Sequence, residues 1–193
     1  MEQAQLWDKC LQIILISHYL QLGILLKFIL LVCLLTGCTG IPENVQPVDN
    51  FKLEKYLGKW YEIARLDHSF ERGLSRVTAD YSPRPDGGVK VINRGYSAKD
   101  NKWKEAVGKA YFVKGMDQGF LKFSFFGPFY GSYVVFVLDH ENYQYALVCG
   151  PDKSYLWLLA RSPKINEDTK NDLIAEAKAA GFETDKLIYV NHD

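Results

Sequence analysis

A cysteine at the end of an apolar stretch is the residue of this sequence best placed for covalent chemistry. The apolar run Phe28–Leu35 leads into Thr36, Gly37 and Cys38. An apolar residue and two small residues before a cysteine resemble a lipobox, where a lipid is attached to the thiol and the chain is cut just before it. The pattern predicts that Cys38 is the lipid-bearing first residue of an exported, membrane-tethered protein. A signal anchor, or a secretory signal with an incidental cysteine, is the alternative.

The other reactive side chains form no catalytic or metal-binding motif. His68, His140 and His192 belong to no His-Glu-X-X-His pattern, and the chain lacks a Gly-X-Ser-X-Gly elbow. The charged segment Asp67–Arg72 is the one cluster that suggests chemistry. We expect it to be a solvated loop, with contact to a ligand head group or a partner as the alternative. No metal and no cofactor are expected.

Cysteine usage argues against a disulfide in the folded part. Cys10 and Cys33 precede Cys38, so Cys149 is the one cysteine left once Cys38 is acylated. Neither a disulfide nor a cysteine metal site can form from a single thiol. Because Cys149 ends the apolar run 145–149, we predict a small, buried, apolar role for it.

Composition indicates one compact domain without a nucleic-acid partner. About 156 of the 193 residues follow the predicted cleavage site, enough for one sizeable core. Lys and Arg together number 23, as do Asp and Glu, so the chain lacks the basic excess that displaces counterions from nucleic acid. The aromatic fraction of 14% favours strands and apolar cavities.

Residues 1–37 predict a lipoprotein signal region, although residues 1–26 fit that pattern poorly. Lys27 and the following apolar run supply a compact signal, whereas the earlier part contains acidic residues. Either the signal is long, or translation starts downstream at a codon other than AUG, since the next methionine is Met116. A membrane-spanning helix from about Cys10 to Leu35 is a third reading, which several polar residues interrupt.

Residues 38–50 predict a short extended tether to the outer membrane. Pro42 and Pro47 disfavour helix and sheet in this segment. By the bacterial sorting rule, an Asp after the lipidated cysteine favours the inner membrane, so Thr39 favours the outer membrane. We expect the anchored protein to face the periplasm.

From residue 51 the chain alternates short strands with turn signals. The predicted strands are 60–65, 76–81, 89–96, 103–113, 120–126, 133–138, 145–149 and 156–161. Eight strands at regular spacing predict an antiparallel sandwich or barrel. An amphipathic helix follows, with Asn166 as its N-cap, Gly181 as its stop and a narrow apolar stripe at Leu173, Ile174 and Ala177. A short ninth strand, 187–190, returns to the sheet.

Several motifs resemble the lipocalins. They are Gly58-X-Trp60 at the start of the first strand, Leu158–Arg161 on the last, and the segments Trp60–Leu74, Phe125–Gly131 and Ala146–Pro151. The last three are similar to the bacterial outer-membrane lipoprotein branch related to apolipoprotein D. The resemblance covers about residues 48–190. It implies an all-β, eight-stranded, up-and-down barrel with one C-terminal helix. It also implies that Arg161 stacks on Trp60, so that Gly58, Trp60 and Arg161 are structural.

The resemblance implies a calyx that holds a fatty acid or lysophospholipid, in a domain of residues 51–193. Strand alternation then proposes lining residues, and two polar residues near the mouth are candidates for a head group. The proposed ligand-binding residues are Glu62, Asn93, Phe112, Phe123, Phe125, Tyr133, Val135 and Trp157. For each of them, plain packing inside the barrel is the alternative.

Three functions follow from these expectations. The first is a membrane-tethered carrier or store of an amphiphilic lipid for envelope maintenance. The second is a barrel enzyme, which needs a reactive inward side chain where we expect apolar ones. The third is a scaffold lipoprotein without a ligand, which a filled calyx favours. The aromatic segment Phe125–Gly131 makes a homodimer plausible.

Overall fold

Eight antiparallel strands form a closed barrel in the computed structural model, which describes residues 39–193. The strands are β1 (Gly58–Arg65), β2 (Leu74–Pro83), β3 (Val89–Ser97), β4 (Lys102–Phe112), β5 (Phe120–Ser124), β6 (Gly131–Leu138), β7 (Tyr145–Cys149) and β8 (Leu156–Ala160). A short helix, α1 (Leu53–Tyr56), precedes them, and α2 (Glu167–Ala179), a 3-10 turn (Thr184–Lys186) and β9 (Ile188–Tyr189) follow. The predicted barrel with one C-terminal helix is confirmed. Cys38 and the predicted signal region 1–37 lie outside the described residues.

The barrel closes between β1 and β2, with help from the C-terminal tail. The two strands pair from Gly58↔Tyr81 to Tyr61↔Thr78. Beyond this point Arg76 adopts a φ of 51°, and β2 no longer pairs with β1. β9 pairs with the last two residues of β1, and the Arg76 amide donates to the carbonyl of Asn191 at 2.7 Å. The tail therefore supplies the hydrogen bonds that the departing strand leaves unmade.

The connections lie at two ends of the barrel because the strands alternate in direction. The closed end comprises α1 and the connections 84–88, 113–119 and 139–144. The open end comprises the connections 66–73, 98–101, 125–130 and 150–155.

Strand alternation separates an interior cluster from an exterior one. The interior cluster includes Trp60, Tyr81, Leu121 and Val135. The exterior cluster packs Leu173 and other residues of α2 against the outer face of the barrel. The Asn166 side chain caps this helix by accepting from the Asp168 amide at 2.8 Å, and Gly181 follows its end at a φ of 89°.

Cys149 belongs to the exterior cluster and is completely buried there. Burial raises the pKa of its thiol to about 12. The predicted role of a small apolar residue is confirmed, because a thiol with this pKa stays protonated and unreactive at neutral pH.

Residues 40–48 are part of the folded domain and not a free tether. Ser132 Oγ donates to the Gly40 carbonyl at 2.5 Å, and the Val48 amide donates to the Val135 carbonyl at 2.9 Å. Between them, Val45 is buried in the exterior cluster. The expected tether, residues 38–50, is therefore bound to the barrel from residue 40 onward. Within residues 39–193, no helix is long and apolar enough to cross a membrane.

Candidate functional site

The closed end is sealed by an arginine that stacks on a tryptophan. The Arg161 guanidinium lies 4.1 Å from the Trp60 ring and donates to the carbonyls of Lys59 at 2.9 Å and Lys55 at 2.6 Å. Gly58 adopts a φ of 89°, and a Cβ on it would lie 3.6 Å from the guanidinium. This places Gly58, Trp60 and Arg161 in structural contacts, as the motifs imply, and ligand access must come from the open end.

Aromatic side chains fill the half of the interior next to the closed end. The Tyr133 hydroxyl lies 2.7 Å from the hydroxyls of both Tyr56 and Tyr81, so the three form a buried chain of hydrogen bonds. Burial raises the pKa of Tyr133 well above its ordinary value, so the hydroxyls stay neutral. Phe112 and Phe123 pack against the same cluster. The proposed lining residues Phe112, Phe123, Tyr133 and Val135 all lie here.

The space left among these rings is small. The cavity that Phe123 and Tyr133 help to line has a volume of about 10 Å³. That volume is about what one water molecule needs, whereas pockets for small molecules are typically about 300–1,000 Å³. An acyl chain can enter this half only if the rings move.

Phe125 lies at the border between the two halves. It follows the last residue of β5, and its ring meets that of Phe123 edge to face at 4.5 Å. A Cβ on Gly108 would lie 3.0 Å from both rings, closer than side chains normally approach. The glycine therefore provides the space in which the two rings pack. Phe125 is only partly buried, and it belongs to the open-end loop 125–130.

A cluster of polar side chains lies toward the open end of the interior. Arg65 Nη1 donates to Glu62 Oε1 at 2.6 Å, and Arg65 Nη2 donates to the Glu71 carbonyl at 2.9 Å. Trp157 Nε1 donates to Glu71 Oε2 at 3.0 Å, and His68 Nε2 also lies 3.0 Å from that oxygen. We call Glu62, Arg65, His68, Glu71 and Asn93 the polar cluster.

Asn93 joins the polar cluster at its most exposed side. Its Nδ2 lies 3.5 Å from Glu71 Oε1, at the limit of a hydrogen bond, and the residue is half-buried. The remaining four members are each less than a tenth exposed. The proposed head-group residues Glu62 and Asn93 and the proposed lining residue Trp157 therefore meet around Glu71.

The two carboxyl groups of the polar cluster differ in their protonation. Burial, followed by the neighbouring Glu71 carboxylate, raises the pKa of Glu62 well above its ordinary value, and Arg65 only partly opposes this. The pKa of Glu71 is lowered, because hydrogen bonds from His68 and Trp157 favour its charged form over the effect of burial. Glu71 is thus the carboxylate, and Glu62 is the group that retains a proton more readily.

Several polar atoms of the cluster have no hydrogen-bond partner in the described part of the chain. They include Arg65 Nε, His68 Nδ1 and Asn93 Oδ1, and each is buried. Unpaired buried polar atoms are unfavourable, by about 1–3 kcal/mol each. An unpaired guanidinium donor together with acceptor atoms of Asn93 and of the neutral His68 ring is suited to the polar end of an amphiphile.

The segment Asp67–Arg72 was expected to be a solvated loop, and that expectation is wrong for His68 and Glu71. His68 packs against the partly buried Trp157 at 5.1 Å between ring centroids, and His68 and Glu71 are both buried. Asp67 and Arg72 do remain exposed, as an ion pair at 2.8 Å. The expectation that the inward side chains are apolar is wrong for the same reason.

Arg65 was not predicted as a site residue, and a β-bulge explains why. Simple alternation places Glu62 and Arg65 on opposite faces of a strand, since they are three residues apart. The register between β1 and β8 shifts between Glu62 and Ala64. This shift re-aims the end of β1, so both side chains point inward. No signal in the sequence marks the bulge.

Comparison with known proteins agrees with this architecture. Residues 51–192 match the family model described as a lipocalin-like domain. The chain is 62% identical over 157 residues to the outer membrane lipoprotein Blc of Vibrio cholerae, covering 81% of this chain and 92% of that protein. It is 33% identical to bovine apolipoprotein D over 146 residues, covering 72% and 76% of the two chains. Insecticyanin from the tobacco hornworm Manduca sexta shares the fold, with a TM-score of 0.64, 23% identity and coverage of 80% and 87%.

Proposed function

Because the chain belongs to the lipocalin family, we propose that it binds one small amphiphilic lipid inside its barrel, as a carrier or store for envelope maintenance. The ligand classes that fit are a fatty acid and a lysophospholipid. The observation that carries this proposal is the division of the interior into an apolar half at the closed end and a buried polar cluster toward the open end.

The apolar half supplies the affinity for the acyl chain. Removing a methylene group from water contributes roughly 0.8 kcal/mol, so a chain among Phe112, Phe123, Phe125 and Val135 needs few polar contacts. The small cavity requires that Phe123 and its neighbours change rotamer on binding. Part of the gain from burial is then spent on opening the site.

The polar cluster supplies the site for the head group. Arg65 Nε is a buried donor without a partner, and Asn93 Oδ1 is a buried acceptor. With Nε2–H directed at Glu71, His68 Nδ1 is a second acceptor in the neutral ring. A carboxylate or phosphate oxygen that reaches Arg65 Nε would satisfy that donor. The ligand then enters with its chain toward the closed end and its head group beside Asn93 and Trp157.

The protein is proposed to be anchored in the outer membrane by a lipid on Cys38, facing the periplasm. The name of the Vibrio cholerae relative, an outer membrane lipoprotein, supports this location. Thr39 after the cysteine supports it independently through the sorting rule stated above.

Tryptophan fluorescence tests the binding proposal. We expect saturable quenching when protein lacking residues 1–38 is titrated with palmitate or with a lysophospholipid, because Trp157 lies in the site and bonds Glu71. The Trp157→Phe variant should lose most of the signal. The matched variant Trp103→Phe should keep it, since Trp103 is 57% exposed on the outer face of β4. No saturable change with either lipid would contradict the proposal.

A scaffold lipoprotein without a ligand is the second candidate, and the cavity of about 10 Å³ favours it. In that case the aromatic rings next to the closed end would stay packed as part of the hydrophobic core and would never open for a ligand. The Phe123→Ala variant distinguishes the two functions: a carrier with a wider cavity still binds lipid, whereas a scaffold that loses this ring only loses stability. We do not propose an enzyme, because the family and the names of the relatives describe binding proteins and lipoproteins.

A further inference from the structure

The chain reaches its proposed anchor at the open end of the barrel. The Gly40 carbonyl accepts from Ser132 Oγ, and Ser132 is the second residue of β6, next to the open-end loop 125–130. Gly40 also lies beside Pro151 in the open-end loop 150–155. Residues 40–48 then run along the outside of the barrel toward the closed end, where the Val48 carbonyl accepts from the Gly119 amide.

The length of free chain is too short to place the anchor elsewhere. Two residues of chain extend at most about 7 Å. A lipid on Cys38 therefore holds Gly40, and with it the rim of the open end, next to the bilayer surface. This step rests on the acylation of Cys38 that forms part of the proposed function.

The same end carries exposed aromatic side chains that nothing in residues 39–193 covers. Phe70 is 63% exposed, Phe126 is 74% exposed and Phe129 is 67% exposed. They are the three phenylalanines more than half exposed in the described chain, and all lie in open-end loops, 66–73 and 125–130. Exposed apolar groups gathered at one end of a protein mark a surface that meets an apolar partner.

We propose that the open end docks on the lipid bilayer, with Phe70, Phe126 and Phe129 inserted at the level of the head groups and upper acyl chains. The bilayer is the occupant because the anchor brings it to this end. Apolar side chains of peripheral proteins insert about 5–10 Å into that boundary. In this orientation the mouth of the barrel opens toward the bilayer, so a lipid passes between them without crossing bulk water.

Two variants of the full, acylated chain test the orientation. Phe126→Trp places a fluorophore in an open-end loop, and Met116→Trp places one in a closed-end loop at a residue that is 62% exposed. Both are made together with Trp103→Phe, which removes an exposed tryptophan, and with Trp157→Phe, which removes the tryptophan of the proposed lipid site. The purified lipoproteins are reconstituted into vesicles of phosphatidylethanolamine and phosphatidylglycerol, with or without brominated acyl chains.

We expect brominated lipid to quench the tryptophan fluorescence of Phe126→Trp, because the new side chain lies among the acyl chains. The fluorescence of Met116→Trp should stay unchanged. Equal loss of emission in both variants, or loss in neither, would overturn the docking proposal. A blue shift of Phe126→Trp without loss of emission would assign the loop to a contact with a second copy of the chain, and would also overturn it.

The mass of the N-terminal peptide separates this proposal from the one on which it rests. A lipid on Cys38 without selective loss of emission overturns docking and leaves the anchor standing. A peptide without lipid overturns both. Binding of lipid by residues 39–193 in solution is measured separately and depends on neither result.

Discussion

At the scale of single residues, the least favourable feature of the barrel is a pair of carboxyl groups buried beside each other. Glu62 and Glu71 are each less than a tenth exposed, and Arg65 brings a permanent positive charge to Glu62. Charged groups are strongly unfavourable in such surroundings unless they are paired and fully hydrogen-bonded. A binding site retains groups of this kind because they are needed when the ligand is present.

The raised pKa of Glu62 predicts that the stability of the protein depends on pH, and one substitution at this residue measures its contribution. Between the ordinary pKa of a glutamate, about 4.3, and the raised pKa of Glu62, the native state binds more protons than the unfolded state. Stability from this group therefore falls as the pH rises through that window. Glu62→Gln mimics the protonated form, so its stability relative to the original protein should increase as the pH rises above about 4 and level off once the pH exceeds the raised pKa of Glu62.

Urea midpoints of the original protein and of Glu62→Gln at several pH values measure this difference. Each unit by which the pKa is raised corresponds to about 1.4 kcal/mol of relative stability. Glu176→Gln, at an exposed position of α2, is the control and should show a constant difference. A constant difference for Glu62→Gln as well would show that its pKa is not raised.

At the scale of elements, the sequence predicts the strands well because each one has its own local pattern. The predicted 145–149 coincides with β7, and the predicted 89–96 is one residue shorter than β3. The polar cluster could not be predicted in this way. It depends on the bulge in β1 and on the bond between Trp157 and Glu71, which are 86 residues apart. Contacts between distant segments leave no periodic signal in either of them.

The N-terminal segment shows the same limit. Pro42 and Pro47 indicate an extended chain, but they do not predict that Val45 is buried against the outer face of the barrel. Since Val45 belongs to a cluster assembled from several strands and α2, only the assembled fold shows that the segment is bound.

Helix α2 gives a prediction at this scale. Asn166→Ala removes the side chain that accepts from the Asp168 amide at 2.8 Å, which should destabilise the protein by about 1 kcal/mol. Asn171→Ala lies at an exposed position in the middle of the same helix. It should be neutral or slightly stabilising, because alanine has the higher helix propensity. Urea denaturation measures both, and equal effects would show that the cap contributes nothing.

At the scale of the whole molecule, the bound N-terminal segment fixes where the chain leaves the fold, next to the open end of the barrel. If Cys38 carries the proposed lipid, that position decides which end of the barrel is near the bilayer. A free tether would leave that orientation open. In the proposed arrangement, the hydrogen bond from Ser132 to Gly40 and the burial of Val45 connect the modification of Cys38 to the direction in which the barrel opens.

The anchor itself is tested by substituting the cysteine of the lipobox in the full chain. Cys38→Ala should move the protein from the membrane fraction to the soluble fraction, because the variant cannot carry the proposed lipid on this thiol. A single docked surface with three phenylalanines gives weak, reversible binding, so washing should release the variant. Cys33→Ala, five residues upstream in the same apolar stretch, is the matched control and should remain in the membrane. If Cys38→Ala resists washing with salt and carbonate as firmly as the control does, the upstream segment is a membrane anchor and the lipid is not what holds the protein.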